Sequence, residues 1–143
     1  MLFRSEEAKE RTNNNDYQID NTYYDKYIRV KYNQLKDSSK NTKYDDSKEY
    51  EDLDILLSIV KDLKLNIKFA ILPAHGKWSD YTGIGSEKRQ VAYNKLKEIA
   101  KNNNIEVMDY SSKEYEDYYM YDAMHLGWRG WIDFERDLYK LKK

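Results

Sequence analysis

The sequence predicts an α/β protein, the C-terminal part of a doubly wound parallel sheet flanked by helices. Three observations carry this. Ile67-Lys68-Phe69-Ala70-Ile71-Leu72 is an apolar run closed by Pro73, which reads as a buried strand. A helical pattern follows from Ser86 to about Asn102, and then a second, shorter apolar run, Ile105-Glu106-Val107-Met108. Strand, helix and strand with no hairpin signal between them make a βαβ unit, whose strands run parallel with a right-handed crossover. Two strands make a poor sheet, because parallel sheets are covered on both faces and usually have four or more strands. The preceding strands of such a sheet are missing or come from elsewhere.

Each element has its own signal. Residues 1–46 form a helical and loop lead-in, and residues 47–143 the βαβ core of a single domain. In the lead-in, residues Phe3 to Arg11 suggest a helix. Tyr24, Tyr27, Ile28 and Leu35 suggest a second over 20–36, with loops at Asn13-Asn14-Asn15 and Ser38-Ser39-Lys40-Asn41. Leu53, Leu56, Leu57, Val60 and Leu63 recur at helical spacing, with Asp46 or Ser47 as N-cap and Glu49 and Glu51 in the first turn. Ala92, Leu96, Ile99 and Ala100 mark the inner face of the crossover helix, and Asn102-Asn103-Asn104 stops it. Trp131, Phe134, Leu138 and Leu141 form the apolar stripe of a last helix over 128–141. A bare parallel edge associates, so residues 1–46 or a second copy of the chain are expected to shield it.

Composition narrows the function. The chain has 143 residues, is 40% hydrophobic and 36% charged, and its mean hydropathy is −1.04. Fifteen Tyr, three Trp and three Phe supply enough buriable surface to argue against disorder. Lys+Arg is 25 against 26 Asp+Glu, and 19 of the cations are scattered Lys, so no basic stripe points to nucleic acid. Cysteine is absent, which excludes disulfides, thiol catalysis and Cys-ligated metal. The longest stretch without a charged residue is Phe69–Gly76, far short of the roughly 20 apolar residues of a membrane span. No signal peptide is visible at the N-terminus.

The rare residue types gather in two windows. The one Pro, five Gly, three Trp and two His all fall within 73–85 or 122–131. Loops attract Gly and Pro, but that does not account for Trp and His. Sites in open α/β sheets form at the carboxyl ends of strands. The loop Ala74–Gly83 follows the first strand, and Asp122-Ala123-Met124-His125-Leu126-Gly127-Trp128 follows the second, so both can meet at that edge. Asp-x-x-His lets one turn bring a carboxylate beside an imidazole. The carboxylate fixes the tautomer, and the second ring nitrogen is left as a general base. The same four residues also fit an Asp capping a helix start beside a packed His.

A nucleophile is missing. None of the serines lies in Gly-x-Ser-x-Gly or Gly-Asp-Ser, and Ser79 and Ser86, in the right loop, lack the strained elbow. His75, His125, Asp122 and Asp109 offer a two-His, carboxylate set of metal ligands, but no further short ligand pair supports it, so no metal is expected. No phosphate loop or dinucleotide fingerprint is present, and no cofactor is expected.

The two windows carry a resemblance. Pro73-Ala74-His75-Gly76-Lys77-Trp78-Ser79-Asp80-Tyr81-Thr82-Gly83, preceded by Tyr50-x-Asp52-Leu53 and followed by Tyr119-Met120-Tyr121-Asp122-Ala123-Met124-His125-Leu126-Gly127-Trp128-Arg129-Gly130-Trp131, resembles the C-terminal region of the DltD family. The match runs over about residues 13–140. It implies an SGNH-hydrolase-like, flavodoxin-like fold on the extracellular face of a Gram-positive membrane, tethered by an N-terminal helix that is not in this chain. It implies a Ser–Asp–His site that esterifies lipoteichoic acid with D-alanine, working with the D-alanyl donor machinery of the envelope. The family's Asp and His fall on Asp122 and His125, and its serine belongs to an earlier segment. The family usually has Asn where this chain has His75. Under this reading His75, Lys77, Trp78, Tyr81, Trp128 and Arg129 line a groove for a polyol-phosphate chain, with Lys77 or Arg129 on phosphate. The rival reading is a non-catalytic glycan- or protein-binding module with an aromatic groove, in which case the His125 imidazole need not face a cleft.

Overall fold

The computed structural model describes residues 5–45 and 47–141. In chain order they form α1 (Ser5–Arg11), α2 (Asn21–Tyr23), α3 (Tyr32–Leu35), α4 (Glu49–Asp62), β1 (Lys68–Ile71), α5 (Gly76–Tyr81), α6 (Ser86–Asn102), β2 (Glu106–Asp109) and α7 (Trp128–Lys140). The strands pair in parallel, Lys68 opposite Glu106 and Ile71 opposite Asp109, and α6 crosses between them as the βαβ pattern requires. Pro73 stops β1 because it has no N–H to give a ladder. The asparagine run ends α6 through side-chain and backbone capping. Asn103 bonds the Ile99 carbonyl through its backbone N–H (3.1 Å) and its side-chain amide (2.9 Å), and Asn104 takes φ +55°, a left-handed conformation that asparagine tolerates.

The sheet has two strands among the described residues, and that leaves apolar surface open. On α4 only Leu57 is fully buried. Leu56 and Leu63, expected on the inner face, are exposed together with Ile55 and Ile59. The same holds on α7, where Phe134 is half-buried but Trp131, Leu138 and Leu141 are exposed. The spacing of these residues is that of helices covering a sheet, but a two-stranded sheet is too narrow to receive them. Lys48, without a side-chain cap bond, precedes α4 instead of Ser47, and Asp46 lies outside the described residues. So do residues 3 and 4 of the first expected helix, which is described as α1.

The described part of the lead-in packs on the loops at the carboxyl end of the strands. The Asp37 N–H donates to Tyr81 O (3.0 Å) and the Ser39 N–H to Thr82 O (2.8 Å). The single helix expected over 20–36 is instead an irregular run. Asp20 caps α2, its carboxylate accepting from the N–H groups of Thr22 and Tyr23 at 3.0 and 3.3 Å. A π-turn (Tyr24–Ile28) and a 3-10 turn (Arg29–Lys31) then lead to α3. The looser turn delivers Tyr24 and Ile28 to a core shared with Ile19 and Trp78. A second core gathers Tyr110, Tyr119, Met120 and Leu126 under α7.

Backbones approach closely in that second core. A Cβ on Gly130 would stand 2.5 Å from the Tyr119 carbonyl oxygen and 2.8 Å from a Leu126 methyl. Gly130→Ala is therefore expected to destabilise the fold by about 1–3 kcal/mol in urea titration, the usual cost of overpacking against backbone. Tyr119 is fully buried, and its hydroxyl has no hydrogen-bond partner among the described residues. Tyr119→Phe should gain about 1 kcal/mol in the same titration, because it deletes a desolvated, unpaired hydroxyl. A loss of stability in Tyr119→Phe would show that the hydroxyl is satisfied in solution.

Candidate functional site

Asp122 and His125 meet as their spacing predicts. The Asp122 side chain is 6% exposed and that of His125 is 75% exposed. Oδ1 of Asp122 accepts from the backbone N–H of Met124 and of His125, both at 2.9 Å, so the carboxylate itself folds the four-residue turn. Nδ1 of His125 lies 3.0 Å from Oδ1 and 2.8 Å from Oδ2. A carboxylate accepts, so Nδ1 carries the proton and Nε2 presents a lone pair. Nε2 makes no hydrogen bond among the described residues, on a side chain that is largely exposed. The turn is held from behind, with the Tyr121 N–H donating to His125 O at 2.8 Å and Met120 bridging to Leu126. No seryl hydroxyl among the described residues bonds to His125; Ser79 is buried within α5.

The two windows converge through backbone. The His75 N–H donates to Ala123 O at 3.1 Å, which ties the loop after β1 to the middle of the Asp-x-x-His turn. Both nitrogens of the His75 ring are occupied by backbone groups. Its Nε2 lies 2.6 Å from the Tyr17 carbonyl, which makes Nε2 the protonated nitrogen, and Nδ1 accepts from the Trp78 N–H at 3.4 Å. The ring thus caps a six-residue helix, α5, where the Gly-containing stretch had suggested only a loop. Burial pushes the His75 pKa below its ordinary value, outweighing the hydrogen bond to Tyr17 O.

The other expected groove residues separate into core and rim. Trp78 is buried in the core rather than on a groove wall, edge-on to Tyr17 (ring centroids 5.2 Å) and stacked on Tyr81 (5.4 Å). Tyr81 stacks in turn on Tyr32 at 4.5 Å and donates to the Tyr32 carbonyl. Lys77 and Arg129 lie at the rim, Lys77 paired with Asp117 (3.4 Å) and Arg129 with Glu116 (2.9 Å). Trp128 is half-buried between Tyr121 and the guanidinium of Arg11, which lies 5.5 Å from its ring centre.

Arg11 and Asp20 were not legible as part of this site. Asp20 is almost fully buried, pairs with Arg11 at 3.0 Å and sends its N–H to Tyr121 O at 2.9 Å. The Asp20 carboxylate therefore caps α2 and holds Arg11 over Trp128, while its backbone N–H docks the lead-in on the Asp-x-x-His segment. An Asp before Asn-Thr-Tyr signals a cap in sequence, but nothing local says which strand of chain it will meet.

A family model described as "DltD protein" matches residues 4–143. The chain is 35% identical over 139 residues to Protein DltD of Bacillus subtilis (strain 168), an alignment covering 95% of this chain and 35% of that protein. It is 32% identical over 97 residues to Protein DltD of Staphylococcus aureus (strain NCTC 8325 / PS 47), covering 68% of this chain and 25% of that one. Against Protein DltD of Lacticaseibacillus rhamnosus it is 31% identical over 126 residues, covering 87% and 30%. The chain spans about a third or less of the length of these relatives.

The buried neutral His75 makes stability depend on pH. Its folded pKa is depressed, so the unfolded chain binds the proton more readily, and this contribution is present above about pH 6.5 and lost as pH falls below it. Urea titrations at pH 7.5, 6.5 and 5.5 should show falling stability, and in His75→Asn the part of that slope due to His75 should vanish. An unchanged slope in His75→Asn would contradict the assignment.

Proposed function

The chain belongs to the DltD family, and on that premise we propose that it supplies the Asp–His half of a Ser–His–Asp acyl-transfer site used in D-alanylation of teichoic acid. The observation that carries the reading is the pairing of a buried Asp122 with an exposed His125 whose Nε2 is open. Nε2 takes the proton of a seryl hydroxyl as its oxygen attacks the acyl carbonyl. The imidazolium then returns that proton to the departing group, and the same nitrogen activates the incoming hydroxyl in the second half-reaction. Asp122 holds the ring in the Nδ1–H tautomer and stabilises the imidazolium as it forms. The serine belongs to a part of the longer protein outside this chain, which is also the natural source of the further strands that β1, α4 and α7 are shaped to meet.

On this reading the site works at the cell envelope and takes its substrate across an open rim, where the His125 side chain is exposed. No helix among the described residues is long and apolar enough to cross a membrane. The aromatic groove that a glycan- or protein-binding module would need is less well supported. Trp78, Tyr81, Tyr32 and Tyr17 pack against one another, and Trp128, three residues after His125, is half-buried between Tyr121 and Arg11.

Two measurements test the reading. In a full-length relative carrying this region, His125→Ala should lower acyl transfer by about 10²–10⁴-fold, the usual worth of a positioned general base. The 143-residue chain alone should turn over a small ester no faster with His125 than with Ala in its place. Ester turnover by the isolated chain that disappears in His125→Ala would place the nucleophile within the chain, with Ser79 and Ser86 the first to mutate.

A further inference from the structure

Immediately after β1, three successive N–H groups leave the chain in three directions. The Ala74 N–H donates to the hydroxyl of Tyr93 on α6 at 2.8 Å. The His75 N–H donates to Ala123 O at 3.1 Å, and the Gly76 N–H to Glu114 O at 2.7 Å. Two of the three acceptors belong to one buried cluster. The Glu114 carboxylate accepts from the Tyr93 hydroxyl at 2.9 Å and from Arg89 through Nε at 2.6 Å and Nη2 at 3.1 Å. Arg89, with its side chain 2% exposed, spends its remaining donors on Asp80 Oδ1 (2.8 Å), the Ile84 carbonyl and the Tyr115 hydroxyl (2.8 Å), and that hydroxyl passes its own proton to Asp80 Oδ2 at 2.8 Å. Gly76 is squeezed against the same cluster, since a Cβ there would stand 2.7 Å from the Tyr115 ring and 2.8 Å from Glu114 O.

The cluster touches neither Asp122 nor His125, yet the backbone it grips is the backbone that grips their turn. Ala123 lies between the two residues, and its carbonyl is held by the His75 N–H. We propose that Tyr93, Glu114 and Arg89 are positioning residues for the Asp122–His125 pair, acting through the Ala74–Gly76 backbone. The charges suit this task. A bidentate guanidinium–carboxylate pair has fixed planar geometry, and buried groups with every donor and acceptor occupied leave few alternative arrangements. A hydrophobic filler of the same volume would support the loop without fixing the direction of the Ala74 N–H. The assignment concerns the geometry of the pair, and it matters for catalysis only through the function proposed above.

The test separates positioning from general support. In the 143-residue chain, amide hydrogen exchange and the ¹³C shift of His125 Cδ2, which reports the imidazole tautomer, are compared for the parent, Tyr93→Phe and Glu114→Gln. Tyr93→Phe removes one oxygen and orphans the Ala74 N–H, so the His75 amide should exchange about tenfold faster, the size of one lost hydrogen bond at a buried donor. The His125 tautomer should move away from pure Nδ1–H, while amides in the middle of α7 keep their protection relative to the global transition. Unchanged His75 exchange and an unchanged tautomer in folded Tyr93→Phe overturn the proposal, as does acceleration shared equally by all core amides. If Glu114→Gln fails to fold, Tyr93→Phe decides alone. Should the tautomer shift while acyl transfer by a full-length relative carrying Tyr93→Phe is unaffected, positioning stands and the catalytic reading of His125 fails.

Discussion

The junction at Ala74-His75-Gly76 is the constraint on which the rest of the structure depends. A strand that ends at proline hands on a backbone whose next N–H groups have neither a ladder nor a helix to enter, and buried donors must be paired. Here each one closes on a different element: α6, the Asp-x-x-His turn and the segment before Tyr115. The bonds hold the three elements in a fixed relation that apolar contacts alone would leave adjustable. The His75 side chain completes the arrangement by taking the Tyr17 carbonyl on one nitrogen and the Trp78 N–H on the other, so one residue joins the lead-in, α5 and the candidate site.

Asp122 solves a related problem at smaller scale. A carboxylate that is nearly inaccessible to water is costly unless its oxygens are occupied. Its oxygens accept from two backbone N–H groups of its own turn and from the His125 ring, all within three residues. The local closure explains why the pair is assembled in a chain that lacks a seryl partner for it. It also explains the contrast between the two histidines. His75 has both nitrogens used and is buried, whereas His125 has one nitrogen used and faces outward.

The open surfaces of α4 and α7 fit the same picture from the other side. Helices patterned to cover a parallel sheet present Leu56, Leu63, Trp131 and Leu138 to solvent because the described sheet is two strands wide. Most of the tightly paired polar groups sit at the carboxyl end of the strands, and most of the unmatched apolar ones lie along the helices. The chain therefore divides into a rigid end, where hydrogen bonds specify geometry, and a flank whose apolar residues match a wider sheet.

What the sequence determined by itself was set by chemistry within a few residues, although the N-cap of α4, the irregular run over 21–35 and the short helix α5 escaped it. The strand–helix–strand order, the asparagine stop of α6, the bounds of α7 to within a residue and the closure of Asp122 on His125 all follow from spacing, capping and periodicity, and the structure bears them out. The glycines and tryptophans mark two windows that the His75–Ala123 backbone bond brings together. Roles that depend on distant chain were decided only by the tertiary structure. Trp78 became core because Tyr17 and Tyr81 close over it, and His75 became a cap because the Tyr17 carbonyl arrives from 58 residues away. The pairing of Arg89 with Glu114 spans 25 residues, and a charged residue in an amphipathic helix reads as solvated until its partner is known. Periodicity says which face of a helix is apolar, but whether anything covers that face depends on how many strands lie beneath it. That is why Leu56 and Leu63 were legible as an inner face and are found open.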